Sequence, residues 1–85
     1  MKYIFVDESW EDYIYWQKNN KRMLNKINQL LKDISRTPFS GLGKPEPLKY
    51  KYQGFWSRKI NDEHRLIYKV TNDEIHIAKC RFHYE

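Results

Sequence analysis

Gly54-Phe-Trp-Ser-Arg-Lys-Ile60, Glu63-His-Arg-Leu-Ile-Tyr68 and the terminal Cys80-Arg-Phe-His-Tyr84 alternate, or nearly alternate, apolar with polar residues. A two-residue period belongs to strands half-buried against a core. Each run also carries Arg or His where a solvated strand face ordinarily takes Thr, Ser or Lys. A guanidinium and an imidazole held on a rigid sheet can bind a phosphate and move a proton, so these runs bear on fold and chemistry together.

Upstream, Tyr3-Ile-Phe-Val6 reads as a buried strand. Ser9 then serves as an N-cap with Asp12 three residues on, which predicts a helix to about Asn19 with Trp10, Tyr13 and Ile14 as its apolar stripe. Asn19-Asn20 interrupts. Leu24, Ile27, Leu30, Leu31 and Ile34 recur at helical spacing and predict a second helix from about Lys21 to Arg36, stopped by Pro38. Both stripes read as core that packs on a sheet. Residues 38–48 hold all three prolines and two of the three glycines, which marks a loop. Strands are expected around Leu48–Tyr52 and at Phe55–Ile60, Arg65–Val70 and Ile75–Tyr84, joined by the polar connections Asn61-Asp-Glu63 and Thr71-Asn-Asp-Glu74. The order β-α-α-β-β-β predicts an α+β fold of two N-terminal helices packed on a mainly antiparallel sheet, one domain over residues 1–85.

Eighty-five residues leave little room for a core, and three Trp, seven Tyr and four Phe suit that limit because aromatics bury much area each. The formal charge is +5 and the isoelectric point near 9.4. The excess concentrates between residues 44 and 69, where Lys44, Lys49, Lys51, Arg58, Lys59, Arg65 and Lys69 face only Glu46, Asp62 and Glu63. Such a stretch suits a polyanion such as RNA, or is merely a solvated face. Cys80 is the sole cysteine, which excludes an internal disulfide and fits a reducing cytoplasm. The apolar run Tyr3–Val6 is too short for a signal-peptide core or a membrane span, so no membrane role is expected.

Alternate residues of a strand share a face. Arg65, Ile67 and Lys69 therefore oppose Leu66, Tyr68 and Val70, while Arg81 and His83 oppose Ala78, Cys80, Phe82 and Tyr84. Arg65 and His83 fall on the side away from the helices. Cleaving RNA through its own 2′-hydroxyl needs a base, a cation against the charge that builds on the phosphorane, and an acid for the departing 5′-oxygen. Glu46, Arg65 and His83 supply these types in turn. Pro45 and Pro47 restrict the backbone around Glu46, with Lys44 and Lys49 adding positive charge beside it. Each residue has a plainer reading: Glu46 as a solvated loop acid, Arg58 and Arg65 as structural ion-pair partners, His83 as an exposed histidine. Cys80, His64, His76 and His83 lack the paired spacing of a zinc site, and no Gly-rich phosphate loop or nucleophile elbow occurs. The residues call for acid-base chemistry without a metal or other cofactor.

Several segments together resemble one family: Glu8-Ser-Trp10 with Tyr13 and Trp16, Arg36-Thr-Pro-Phe39, Gly43-Lys-Pro-Glu-Pro-Leu-Lys49, Gly54-Phe-Trp-Ser-Arg58, Glu63-His-Arg-Leu66 with Tyr68, and Cys80-Arg81 with His83-Tyr84. In this order and spacing the chain resembles the YoeB toxins of YefM–YoeB toxin-antitoxin modules, within the RelE superfamily of bacterial mRNA interferases. The resemblance implies a toxin that enters the A site of the 30S subunit on the 70S ribosome and cuts mRNA there. It puts base, charge stabiliser and acid on Glu46, Arg65 and His83. It also implies phosphate contacts at Lys49 and Arg58 and an orienting or stacking aromatic at Tyr84. A homodimer and neutralisation by a YefM-like antitoxin with a disordered C-terminal segment are implied as well. Close relatives tend to carry Arg and Tyr where this chain has Lys59 and Phe82, and Glu85 follows the usual terminal Tyr. Lys59 keeps the charge of a phosphate contact but loses the bidentate fork. Two other functions fit the same basic sheet: a nonenzymatic RNA- or ribosome-binding module, and a ParE-like gyrase poison. Glu46 and His83 together speak against pure binding.

Overall fold

In the computed structural model, which describes residues 1–83, the chain runs β1 (Lys2–Phe5), α1 (Asp7–Asn19), α2 (Lys21–Arg36), β2 (Glu46–Pro47), a 3₁₀ turn (Tyr50–Tyr52), β3 (Trp56–Lys59), β4 (Arg65–Thr71) and β5 (Glu74–Lys79). The strands form one sheet in the order β1-β5-β4-β3-β2, with β1 parallel to β5 and the remaining pairs antiparallel. Two helices on one face of a mainly antiparallel sheet is the α+β architecture expected from the sequence.

Helix α2 spans the residues that its periodicity predicts. Ile27, Leu30, Leu31 and Ile34 are buried against Leu66, Tyr68, Ile75 and Ile77 of the sheet, and Asn20 caps the helix by accepting the Met23 N–H at 3.2 Å. Helix α1 departs from expectation at its start. Ser9 lies inside the first turn rather than at the cap, where its hydroxyl accepts the Val6 N–H at 3.0 Å and donates to the Ile77 carbonyl at 2.6 Å. Trp16 fills the core from α1, whereas Trp10 of the expected stripe stays half-exposed beside Phe5 and Tyr13. The β4–β5 hairpin turns on Asn72-Asp73, both at positive φ (48° and 62°), the geometry of a two-residue I′ turn whose twist matches that of its strands.

Three further expectations are corrected. Glu46 belongs to a strand, paired with Ser57, rather than to the loop; Leu48–Tyr52 is not a strand but leads into the 3₁₀ turn; and β5 ends at Lys79, so the strand parity assigned to residues 80–83 does not apply. Pairing along β4–β5 jumps from Ile67 with Lys79 to Tyr68 with Ile77 and skips Ala78. Lys79, at the end of β5, meets Glu8 of α1 at 3.6 Å. Tyr84 and Glu85 lie outside the described residues.

The loop between α2 and β2 is fastened to the sheet by Arg58 of β3, which is 0% exposed. Its five N–H donors all have acceptors: Nε the Tyr68 hydroxyl at 3.1 Å, Nη1 the Asp33 carboxylate at 2.5 Å and the Leu42 carbonyl at 3.0 Å, and Nη2 the carbonyls of Thr37 and Ser40 at 2.6 and 2.8 Å. The Tyr68 hydroxyl in turn donates to the Pro38 carbonyl at 2.6 Å. Gly43 completes the fastening with its carbonyl on the Lys59 N–H at 2.7 Å. Its φ of 79° favours glycine, and a Cβ there would stand 3.0 Å from the Lys59 carbonyl.

The Leu42 N–H and then the Arg58 guanidinium hold the Asp33 carboxyl below the ordinary aspartate value. Arg58→Met strands this carboxylate and four carbonyl or hydroxyl acceptors, so we expect a loss of about 3–5 kcal/mol, read as a fall in the urea midpoint. The contribution of Asp33 is complete above its unfolded-state pKa and is lost as pH falls through its lower folded value. Urea midpoints taken between neutral pH and roughly pH 3 should therefore fall less in Asp33→Asn than in the parent chain; equal acid sensitivity would remove Asp33 from this role.

Candidate active site

The sheet face away from the helices carries the candidate residues. Register decides this: Glu46 pairs with Ser57, Ser57 with Ile67, and Lys59 with Arg65, and cross-strand partners share a face. Lys44, Glu46, Ser57, Lys59 and Arg65 line a shallow depression of about 210 Å³. Its edges are Glu46 on the outer strand and the two cations where β3 and β4 meet. Lys44 reaches it from a left-handed backbone (φ 51°) just before Pro45.

Arg65 is held by backbone carbonyls, with Nη1 at 2.7 Å from Asn61 O and 3.1 Å from His64 O. Among the described residues no carboxylate comes within ion-pair distance of it, unlike the structural ion pair that the sequence left open. Lys59 meets Asp62 at 2.7 Å, and that hydrogen bond lowers the Asp62 pKa. The pair is largely solvated, which leaves Lys59 free to exchange Asp62 for another anion. Lys49 is exposed and precedes the 3₁₀ turn, next to the depression rather than in it.

His83 follows a turn tied down at every step. The Trp16 indole donates to the Cys80 carbonyl at 2.8 Å, and the Cys80 N–H donates to Asp12 at 3.0 Å. Phe82, at φ 65°, donates its N–H to His64 Nδ1 at 2.7 Å and accepts the Arg65 N–H on its carbonyl at 3.0 Å. The chain thus leaves β5, bends back to the head of β4, and delivers exposed His83 one residue beyond the amide that Arg65 binds. Because Nδ1 accepts, His64 carries its proton on Nε2 when neutral. Burial raises the Asp12 pKa, opposed by the Cys80 N–H, and burial likewise pushes the Cys80 thiol well above its usual range. A thiol so held is a poor nucleophile.

Arg58 occupies the opposite, helix-covered face. The phosphate contact implied for it is not available to a fully buried guanidinium whose five donors are engaged, and its place is that of a structural support. Tyr84 lies beyond the described residues. Sequence reasoning missed Ser57, which lines the depression, and His64 with Trp16, which hold the terminal turn. For His64 a signal existed: it shares parity with Leu66 and Tyr68, the core side of β4. No group of three or more His, Cys, Asp or Glu that could hold a metal ion occurs among the described residues.

Residues 5–84 match the YoeB-like toxin of bacterial type II toxin-antitoxin systems. The Toxin YoeB of Escherichia coli K12 is 61% identical over 84 residues, covering 99% of this chain and all of that protein. A YoeB/ParE toxin from Agrobacterium tumefaciens superposes with a TM-score of 0.96 at 49% identity, covering 99% of this chain and 100% of that one. A Staphylococcus aureus YoeB, solved as a YoeB-YefM complex, gives 0.93 at 49% identity, with 99% and 98% covered; a Staphylococcus aureus YoeB solved as a dimer gives 0.93 at 48% over the same shares.

If His64 holds the terminal turn, His64→Leu leaves the Phe82 N–H without its acceptor, a loss of about 1–3 kcal/mol that should accelerate amide exchange at Phe82 by roughly tenfold or more. His64→Asn, whose Oδ1 falls near the position of Nδ1, should restore most of the protection. Equal exchange in the parent chain and His64→Leu would show that other contacts fix the turn.

Proposed function

The chain belongs to the YoeB-like toxins of bacterial type II toxin-antitoxin systems, and from that premise we propose that it is a ribosome-dependent endoribonuclease, a single toxin domain over residues 1–85 that cuts mRNA in the ribosomal A site. The observation that carries this reading is the shared depression of Glu46, Lys59 and Arg65, with His83 brought to the head of β4 by the Phe82 carbonyl on the Arg65 amide.

In the proposed reaction the Glu46 carboxylate takes the proton of the 2′-hydroxyl, and that oxygen attacks the adjacent phosphorus. Charge grows on the non-bridging oxygens, where the Arg65 guanidinium, seated on the carbonyls of Asn61 and His64, strengthens its contact. The P–O5′ bond breaks as His83, in its imidazolium form, gives a proton to the departing 5′-oxygen. The products are a 2′,3′-cyclic phosphate, or the 3′-phosphate that follows, and a free 5′-hydroxyl. Lys49 and Lys59 supply phosphate contacts at the rim, and Tyr84 an orienting or stacking ring. No step requires a cofactor.

The cations Lys44, Lys59 and Arg65 around the depression, with exposed Lys49 beside it, also suit a YefM-like antitoxin whose acidic, initially disordered segment gains electrostatic steering and then folds on the toxin. The Staphylococcus aureus YoeB-YefM complex and YoeB dimer support a neutralising antitoxin and a homodimer here. Among the described residues no helix is long and apolar enough to cross a membrane, and we place the chain in the cytoplasm with its ribosomal target.

Glu46→Gln and His83→Gln should each lower single-turnover cleavage of ribosome-bound mRNA by about a hundred- to ten-thousand-fold while retaining ribosome binding. An mRNA with one 2′-deoxy sugar at the cut position should resist. Unchanged cleavage in both variants, or products that end in a free 3′-hydroxyl, would defeat the mechanism; gyrase-stabilised DNA breaks without mRNA cleavage would move the chain to ParE-like action.

Arg65→Ala should depress the chemical step at saturating ribosome, whereas Lys59→Ala should weaken binding and flatten its dependence on salt. Equal binding defects with no rate loss at saturation would make Arg65 a binding residue.

A further inference from the structure

Beside the depression lies a second cleft of about 320 Å³, formed by residues 46–52, which shares Glu46 with the first. Its walls include Pro47, Leu48 and Tyr52, with Lys49 and Lys51 among its lining residues. Tyr50 lines it too and is 90% exposed, the most exposed large apolar side chain among the described residues, and it sits at φ 56°, a left-handed conformation that disfavours a residue with a bulky side chain.

The strain is held in place by a closed set of backbone bonds. Tyr52 N–H donates to Lys49 O at 3.2 Å, Gln53 N–H to Tyr50 O at 3.0 Å, Phe55 N–H to Tyr52 O at 2.9 Å and Leu48 N–H to Phe55 O at 2.9 Å. Leu48, itself buried, anchors the start of the turn. The ring of Tyr50 therefore gains little from the fold while its backbone is disfavoured. A strained, rigidly presented, solvent-facing ring beside a catalytic carboxylate points to a ligand rather than to packing.

We propose that Tyr50 is a stacking platform for an unpaired nucleobase of the RNA, with Lys49 and Lys51 taking the flanking phosphates. A flat aromatic between two cations on a basic face matches the chemistry of single-stranded RNA, a planar π-surface carried on an anionic backbone. The position next to Glu46 sets the stacked base close to the scissile sugar, so this contact orients the strand at the cut. The inference rests on the nuclease reading above and adds a base-recognition site to it.

The test uses the full chain with programmed ribosomes. Binding is measured on an mRNA made uncleavable by a 2′-deoxy sugar at the cut position, and cleavage on the ordinary mRNA. Tyr50→Asn tolerates the left-handed backbone, so its melting temperature should be unchanged or raised, yet its half-saturating concentration should rise about five- to hundred-fold. Tyr50→Phe should behave as the parent. Abasic substitutions are then scanned across the mRNA codon in the A site. One position at which base removal weakens the parent but adds nothing in Tyr50→Asn identifies an mRNA base as the occupant; a Tyr50→Asn defect that couples to no mRNA position would overturn the placement of a substrate base on the ring.

Unaltered binding and cleavage in Tyr50→Asn would overturn the proposal, and so would a loss confined to antitoxin affinity, which would make Tyr50 a protein contact. The nuclease reading fails separately: it falls if the parent chain leaves the ordinary ribosome-bound mRNA uncut, and a Tyr50→Asn binding defect on the uncleavable mRNA would survive that result.

Discussion

The buried Arg58 guanidinium is the constraint on which the site depends. It sits on the core face of β3, and its five donors gather the end of α2, the following loop and Tyr68 of β4 around one charge. A charge in the interior is tolerable only when paired and fully hydrogen-bonded, so removing any acceptor weakens the whole set. Its consequence lies on the opposite face. With residues 37–42 fixed, Gly43 docks on Lys59 and the chain emerges at Lys44-Pro45 already aligned to place Glu46 against Ser57. One residue too buried to touch a substrate thus determines where the candidate base stands.

A second arrangement does the same for the other end of the chain. His64 and Arg65 are neighbours on β4 and point to opposite faces, yet both bind the backbone of Phe82, one through its N–H and the other through its carbonyl. Trp16 and Asp12 of α1 hold Cys80 from the helix side. The terminal turn is therefore referenced to the same strand that carries Arg65, and His83 and Arg65 keep a common frame.

Backbone strain is distributed unevenly. Of the five non-glycine residues at positive φ among the described residues, Asn72 and Asp73 form the hairpin turn that demands such geometry. The other three, Lys44, Tyr50 and Phe82, adjoin Glu46 or His83. Local strain persists where surrounding contacts over-determine it, and here those contacts are the loop fastening, the 3₁₀ turn and the terminal clamp. The pattern is what a site assembled from three chain reversals requires, since each must present a side chain at an angle that regular structure does not offer.

The boundaries of α2, the existence of β3 and β4 and the α+β class were legible in the sequence, because burying one face of a helix or strand imposes a period that local composition must obey. The chemical types at Glu46, Arg65 and His83, a carboxylate, a guanidinium and an imidazole, are given by the residues themselves. What sequence alone left undecided was set by long-range pairing. Glu46 became a strand residue only because β3 offered it a partner, and Leu48–Tyr52 turned rather than extended because Tyr50 adopts a left-handed φ. Strand parity failed beyond Lys79 because the Ala78 bulge shifts the register and the chain then leaves the sheet for the clamp at Phe82. Arg58 and Arg65 look alike as sequence, each a cation in an alternating strand. They part in the tertiary structure, since Asp33 and the carbonyls of residues 37–42 converge on one face of the sheet and only Arg58 points there.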